Sequence, residues 1–379
     1  MYNVTTPDHG SRIAGNRVEM CFFGLLRLAL DDSTDVSIPA GLTADEWQTV
    51  YEMATKQAVA GVIAIAINRL PDNRKPPKDM LMRWIGTYMA IRKNNALLYA
   101  RSIELISRLA ADGFRCCILK GQGNAAMYPD PYCRVPGDID VWIDADRPSV
   151  VSYIRRSFPD VIVGYQHIDY PIFNDVLVEA HFLPSYMTDP ITNHRMQRFF
   201  DIEKSVCCRN LVSLPDGMGR IPVPPHYFNA VYQLAHIFRH YMEQGIGLRQ
   251  LIDYYYVLRN LEAERRPYVL TTLKALRLDK FSRAVMYIMH DVLGLDNSFL
   301  ITDIDRWRGE RLLHEIMSGG NFGKYNGKSW LYGRTMLSRQ LLKFRRNCDM
   351  FMAYPSETVS EPFFRIYYYF WRKRHNRKR

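Results

Sequence analysis

Three short segments of this chain carry acids, bases and glycines in an order suited to moving a phosphoryl group. The first is Gly137-Asp138-Ile139-Asp140-Val141. In a strand, successive side chains alternate faces, so Asp138 and Asp140 share one face while Ile139 and Val141 turn into a core. Two neighbouring carboxylates repel, and partial burial makes that repulsion costly unless a cation joins them. Mg²⁺ or Mn²⁺, hard ions that bind carboxylate, phosphate and water oxygens, would resolve it. The second is Leu177-Val178-Glu179-Ala180-His181-Phe182, where Glu179 and His181 share a strand face. An acid here, on a neighbouring strand, would complete a two-metal site for in-line transfer. The third is Ile118-Leu119-Lys120-Gly121-Gln122-Gly123. Gly121 after a strand lets the backbone approach a ligand closely. Amides there and the start of a helix favour phosphate. Lys120 offers a point charge for a triphosphate, and Arg134 a fork for phosphate.

Each segment alone has a plainer explanation. An Asp-x-Asp on a strand also fits a solvated face, a Lys-Gly turn is common, and Glu-x-His can be a structural pair. Their order and spacing carry more: a strand and Lys-Gly turn, then Arg134 and the aspartates, then a strand bearing Glu179.

The elements that would position these residues are legible as patterns. Residues 1–111 read as a helical region, with a start signal at Thr43 ahead of Ala44-Asp45-Glu46-Trp47 and a long helix or helix pair over 80–111 closed by Gly113. Strands are expected at 116–119, 139–143, 161–163 and 172–182, with a helix over 148–158. That is a catalytic module over 112–225 with a mixed sheet. Residues 226–379 read as a second helical region, with helices expected at 227–241, 247–261, 269–276, 281–293, 331–344 and 362–372. The fold class is α+β.

Leu119-Lys120-Gly121, Tyr128-Pro129, Arg134, Gly137-Asp138-Ile139-Asp140 and Val178-Glu179-Ala180-His181 together resemble the uncharacterised bacterial nucleotidyltransferase family of the DNA polymerase β-like superfamily. The resemblance covers about 112–185. Here Lys120-Gly121 stands where many members of the superfamily have Gly-Ser. The resemblance implies a polymerase β-like nucleotidyltransferase module flanked by helical regions. It implies that Asp138 and Asp140 bind metal and triphosphate. Glu179 would bind the catalytic metal and help deprotonate an acceptor hydroxyl. Lys120, Gly121, Arg134 and His181 would line the nucleotide site, with NTP such as ATP as substrate. The family also has an L-R-x-x-x-D segment after the module, matched by Leu248-Arg249-Gln250-Leu251-Ile252-Asp253. Arg249 and Asp253, four apart on one helix face, either contact nucleotide or pair to dock the helical region.

Composition sets the outer bounds. Hydrophobic residues make up 47% of 379, enough for a sizeable core. The net charge is +11, but residues 371–379 hold six basic side chains and no acid, so the body is only mildly basic. That tail suits RNA, DNA or anionic lipid, or is a frayed, solvated terminus. Seven cysteines without a C-x-x-C fit reduced thiols. The apolar run 58–67 is half a membrane span, and no secretory signal is recognisable, so the cytoplasm is the expected location. His236 and His240 suit an interface better than zinc, for want of H-E-x-x-H. Tyr254-Tyr255-Tyr256 and Tyr367-Tyr368-Tyr369 read as packing, and Gly319-Gly320-Asn321-Phe322-Gly323 as a connection. Besides an NTP-dependent transferase, two alternatives stand: an inactive nucleotide-binding or regulatory module, and a toxin-like enzyme that modifies tRNA.

Overall fold

The computed structural model describes residues 17–31, 37–325 and 336–376. Four helices open the described residues: α1 (Arg17–Leu30), α2 (Ala44–Lys56), α3 (Ala60–Arg69) and α4 (Lys78–Ala111). α2 starts at a capping box. The Thr43 hydroxyl accepts from the Glu46 amide at 3.2 Å, and the Glu46 carboxylate accepts from the Thr43 amide at 2.8 Å. α4 is one continuous helix of 34 residues. It ends ahead of Gly113, whose φ of +83° suits a residue without a side chain.

A four-stranded mixed sheet follows, built from β1 (Cys116–Leu119), β2 (Ile139–Ile143), β3 (His167–Asp169) and β4 (Val178–His181). Its order is β1-β2-β4-β3. β2 and β4 run parallel, and the outer pairs are antiparallel. The intervening helices are α5 (Gly121–Ala125) and α6 (Arg147–Ser157). α7 (Pro190–Cys207) and the hairpin β5 (Leu211–Ser213) and β6 (Arg220–Pro222) complete this part. Two expectations are corrected. Residues 161–163 contribute only a single bridge, Val163 to Ile168, and the expected strand over 172–182 contracts to β4. β3 takes the edge instead.

The sheet divides two cores. Ile118, Ile139, Val141, Ile168, Val178 and Ala180 pack with Leu98, Leu105 and Leu109 of α4. Cys117, Leu119 and Trp142 enter a larger core with the helices. That core joins α1–α3 to α8 (His226–Glu243), α9 (Leu248–Arg259), α10 (Arg266–Ala275), α11 (Asp279–Tyr287) and α12 (Arg306–Gly319). The first helices and those after residue 225 therefore share one interior. Trp142 bridges sheet and helices, its ring 5.8 Å from that of Phe228.

Two further helices end the described chain, α13 (Met336–Phe351) and α14 (Pro355–His375). Residues 331–335 of the expected helix over 331–344, and the last three residues, lie outside the described residues. For residues 371–376 the reading of the tail as frayed is corrected. α14 continues to His375, and Trp371 is 7% exposed within the sheet's smaller core. The Arg147 guanidinium lies 5.0 Å from the Trp371 ring. Asn376 Oδ1 accepts from the Val163 amide at 2.8 Å, and its Nδ2 donates to the Val163 carbonyl at 3.0 Å. A buried tryptophan and a two-way backbone clamp outweigh the repulsion of a basic run. Arg372, Lys373 and Arg374 stay exposed. All seven cysteines are free. No helix among the described residues is long and apolar enough to cross a membrane.

Candidate active site

Strand register brings the acids together. Asp140 of β2 pairs directly with Glu179 of β4, and Asp138 stands one residue before β2. Carboxylate oxygens of Asp138, Asp140 and Glu179 all lie within 4.8 Å of one another. The period of two explains the segregation. Ile139, Val141, Val178 and Ala180 face the core, so the acids must face the opposite side.

Lys120 reaches the same point from the end of β1. Its ammonium is 3.0 Å from Asp140 Oδ2. Its backbone sits at φ 53°, ψ −135°, and Gly121 follows at φ 43°. Positive φ is costly for lysine, and such strain persists only where the surroundings enforce it. α5 is a single turn of five residues, so the expected help from a helix dipole is small. The lysine charge does more.

Asp140 is surrounded by donors. His181 Nε2 lies 2.8 Å from Oδ1, and His181 Nδ1 is 3.2 Å from the Leu183 carbonyl. Burial would raise the Asp140 pKa, but Lys120 and His181 hold it well below the usual carboxylate range. Burial works against a charged His181 too, yet Asp140 and Glu179 lift its pKa to about 9. Asp138 moves the other way: burial and then the neighbouring Asp140 charge raise its pKa. Glu179 is lowered against the effect of burial, chiefly by His181. Crowded carboxylates, one of them pushed towards its neutral form, are what a hard cation would relieve. The donor set, all oxygen and held on adjacent strands, fits Mg²⁺ or Mn²⁺.

These residues line a cavity of about 320 Å³ between the sheet and α8 and α9. Lys120, Gly121, Arg134, Asp138, Asp140, Glu179, Arg249 and Asp253 all border it. His181 lies behind Asp140, 1% exposed. Two expectations change in detail. Arg134 does not present its fork to the cavity. Its Nε and Nη2 each lie 2.8 Å from an oxygen of Asp253, both side chains are 6% exposed, and Tyr128 donates to Asp253 Oδ1 at 2.7 Å. Arg249 therefore does not pair with Asp253. Its Nη1 donates to the Val135 carbonyl at 3.2 Å, while its Nε is buried without a hydrogen-bond partner among the described residues. A helix face allowed the Arg249–Asp253 pair, but the 129–137 loop delivers a better-matched fork to Asp253. The Arg249 pKa is lowered to about 10 by burial and by Arg134.

His236 and His240, read from the sequence as a pair facing an interface, line this cavity where α8 faces the sheet. Their Nε2 atoms are 3.0 Å apart, and Lys120 Nζ is 3.3 Å from His236 Nε2. An ammonium only donates, so His236 Nε2 accepts and the proton sits on Nδ1. Burial and then Lys120 push the His236 pKa far down, so the ring is neutral. Gln166, His167, Arg239 and Phe322 also border the cavity without having been singled out. β3 is three residues long with Ile168 as its one apolar residue, so it left no periodic signal. Phe322, held at φ 56° in a loop read as a connection, left no local signal.

Residues 43–294, well over half of the chain, match the family described as "Uncharacterised nucleotidyltransferase". No curated protein matches. Among solved structures, a similar chain is an antigenic nucleotidyltransferase-like protein from Paracoccidioides brasiliensis. It is 13% identical, with TM-score 0.34, covering 56% of this chain and 96% of that one.

Proposed function

We propose, from the premise that this chain belongs to the uncharacterised nucleotidyltransferase family, that it transfers a nucleoside monophosphate from an NTP to an acceptor hydroxyl and releases pyrophosphate. The observation that carries this reading is the register of Asp140 against Glu179, with Asp138 beside them, at the wall of the cavity that Lys120 and Arg249 also border.

Asp138, Asp140 and Glu179 would hold a divalent ion, Mg²⁺ or Mn²⁺, which supplies charge neutralisation for the triphosphate and the departing pyrophosphate. Lys120 adds a positive charge whose backbone is fixed in one conformation before substrate arrives. The guanidinium of Arg249, which borders the cavity, adds a second positive charge for the triphosphate. The acceptor oxygen attacks the α-phosphorus as the bond to the bridging α,β-oxygen breaks. The hydroxyl proton passes to Glu179, whose pKa lies below its usual value and favours the ionised form. The Arg134–Asp253 fork holds α9 and the loop before Asp138 in fixed relation.

Incubating the protein with each labelled NTP, Mg²⁺ and fractionated cell extract tests this. Label should enter an acceptor with equimolar pyrophosphate, and Asp138→Ala or Asp140→Ala should abolish it. Transfer that survives both substitutions would end the proposal. One observation favours the inactive-module reading: Lys120 and His181 already neutralise Asp140. Calorimetry in which NTP binds equally well with and without divalent ions would support it.

A further inference from the structure

The catalytic acids are not the only metal-competent group on this wall. His167 of β3 pairs in register with His181 of β4, and both rings lean on Glu179. His167 Nδ1 is 3.0 Å from Glu179 Oε2, and His181 Nε2 is 3.4 Å from the same oxygen. The two rings are 5.1 Å apart. Hydrogen bonding does not fully account for this arrangement. His167 Nδ1 is buried and lacks an aligned hydrogen bond among the described residues, although Glu179 lies so near. The Leu183 carbonyl, 3.2 Å away, fixes a proton on His181 Nδ1 and aims the other nitrogen at the carboxylates. A backbone carbonyl on the far nitrogen is the usual support of a metal-binding histidine.

The geometry points to a zinc site formed by His167, Glu179 and His181, whose donor atoms all lie within 4.8 Å of one another, with the fourth tetrahedral position left to water. Zinc–ligand bonds of roughly 2.0–2.2 Å place tetrahedral donors about 3.3–3.5 Å apart. The observed separations are 3.0 and 3.4 Å, so a small outward shift admits the ion. Two imidazoles select zinc over magnesium, which prefers oxygen. Glu179 belongs to both donor sets, so zinc and the catalytic ion compete. Zinc would act as an inhibitor, and this consequence alone rests on the proposed transferase reading.

The test uses full-length, metal-free protein. Wild type should bind one Zn²⁺ per chain by calorimetry, and Co²⁺ in its place should give the intense visible absorption of tetrahedral coordination. His167→Ala should weaken zinc binding about 10–100-fold. His167→Gln serves if circular dichroism shows the alanine variant unfolded. His236→Ala, which alters the other histidine pair, should leave zinc affinity unchanged. Equal zinc affinity in wild type and the His167 variants, or a weak octahedral Co²⁺ spectrum in wild type, would overturn the inference. Zinc bound as described without any Mg²⁺-dependent transfer would sink the transferase reading and leave this site standing. Transfer insensitive to zinc, with no zinc bound, would do the reverse.

Discussion

Replacing Arg134 by Met tests whether this guanidinium is a structural fork or a phosphate ligand. In the structure it meets both oxygens of Asp253 at 2.8 Å, with each side chain 6% exposed. Arg134→Met leaves Asp253 buried with only the Tyr128 hydroxyl as close partner. Removing one member of a buried pair costs about 3–5 kcal/mol, whereas replacing both by apolar groups is often neutral. Arg134→Met should therefore lose about 3–5 kcal/mol, and Arg134→Met/Asp253→Leu should regain most of it. Urea unfolding followed by fluorescence and circular dichroism together would read both values. The pH dependence has a definite sign. Burial would raise Asp253, but Arg134 holds its folded pKa below the ordinary value. The pair's contribution is then complete above about pH 4 and fades as pH falls through the depressed folded value. The penalty of Arg134→Met should shrink in acid accordingly. A penalty below about 1 kcal/mol, or a double variant as unstable as the two singles summed, would refute the structural role. A raised KM for NTP with unchanged stability would return Arg134 to the substrate.

Other positions give sharp expectations. Lys120→Gly and Lys120→Ala remove the same charge, but glycine also accepts φ 53°, so Lys120→Gly should be the more stable by about 1 kcal/mol or more in thermal unfolding. Gly61→Ala would set a Cβ 2.1 Å from the Cys133 carbonyl oxygen, so it should cost about 1–3 kcal/mol and disturb the loop leading to Asp138. Trp371→Ala should destabilise by about 3–5 kcal/mol, because that ring is in the smaller core. Neutralising Arg372, Lys373 and Arg374 together should leave thermal stability unchanged. If the tail meets nucleic acid, that triple variant should also flatten the salt dependence of tRNA binding by a log–log slope of about 3. An unchanged slope would dismiss the tail as a contact.

The sequence was most informative where a period coincided with chemistry. Alternation in Gly137-Asp138-Ile139-Asp140-Val141 and Val178-Glu179-Ala180-His181 indicated which side chains share a face, and the capping signal at Thr43 marked a helix start. Register was not legible, because it depends on which strand neighbours β2. Nothing local says that β4 pairs parallel with β2 across residue 140 and residue 179. β3 was hidden by being three residues long. The Arg134–Asp253 fork joins residues 119 positions apart, while the helical spacing of Arg249 and Asp253 suggested a nearer partner. The tail misled because composition registers six charges but not the pocket that receives Trp371.

The most direct measurement is Mn²⁺ binding followed by electron paramagnetic resonance, with a non-hydrolysable NTP analogue present and no acceptor needed. Wild type should remove the signal of free Mn²⁺, and Asp138→Asn, Asp140→Asn and Glu179→Gln should each leave most of it in solution. Wild type that takes up no Mn²⁺, or Glu179→Gln that takes it up as wild type does, would contradict the claim that these three carboxylates hold one cation between adjacent strands.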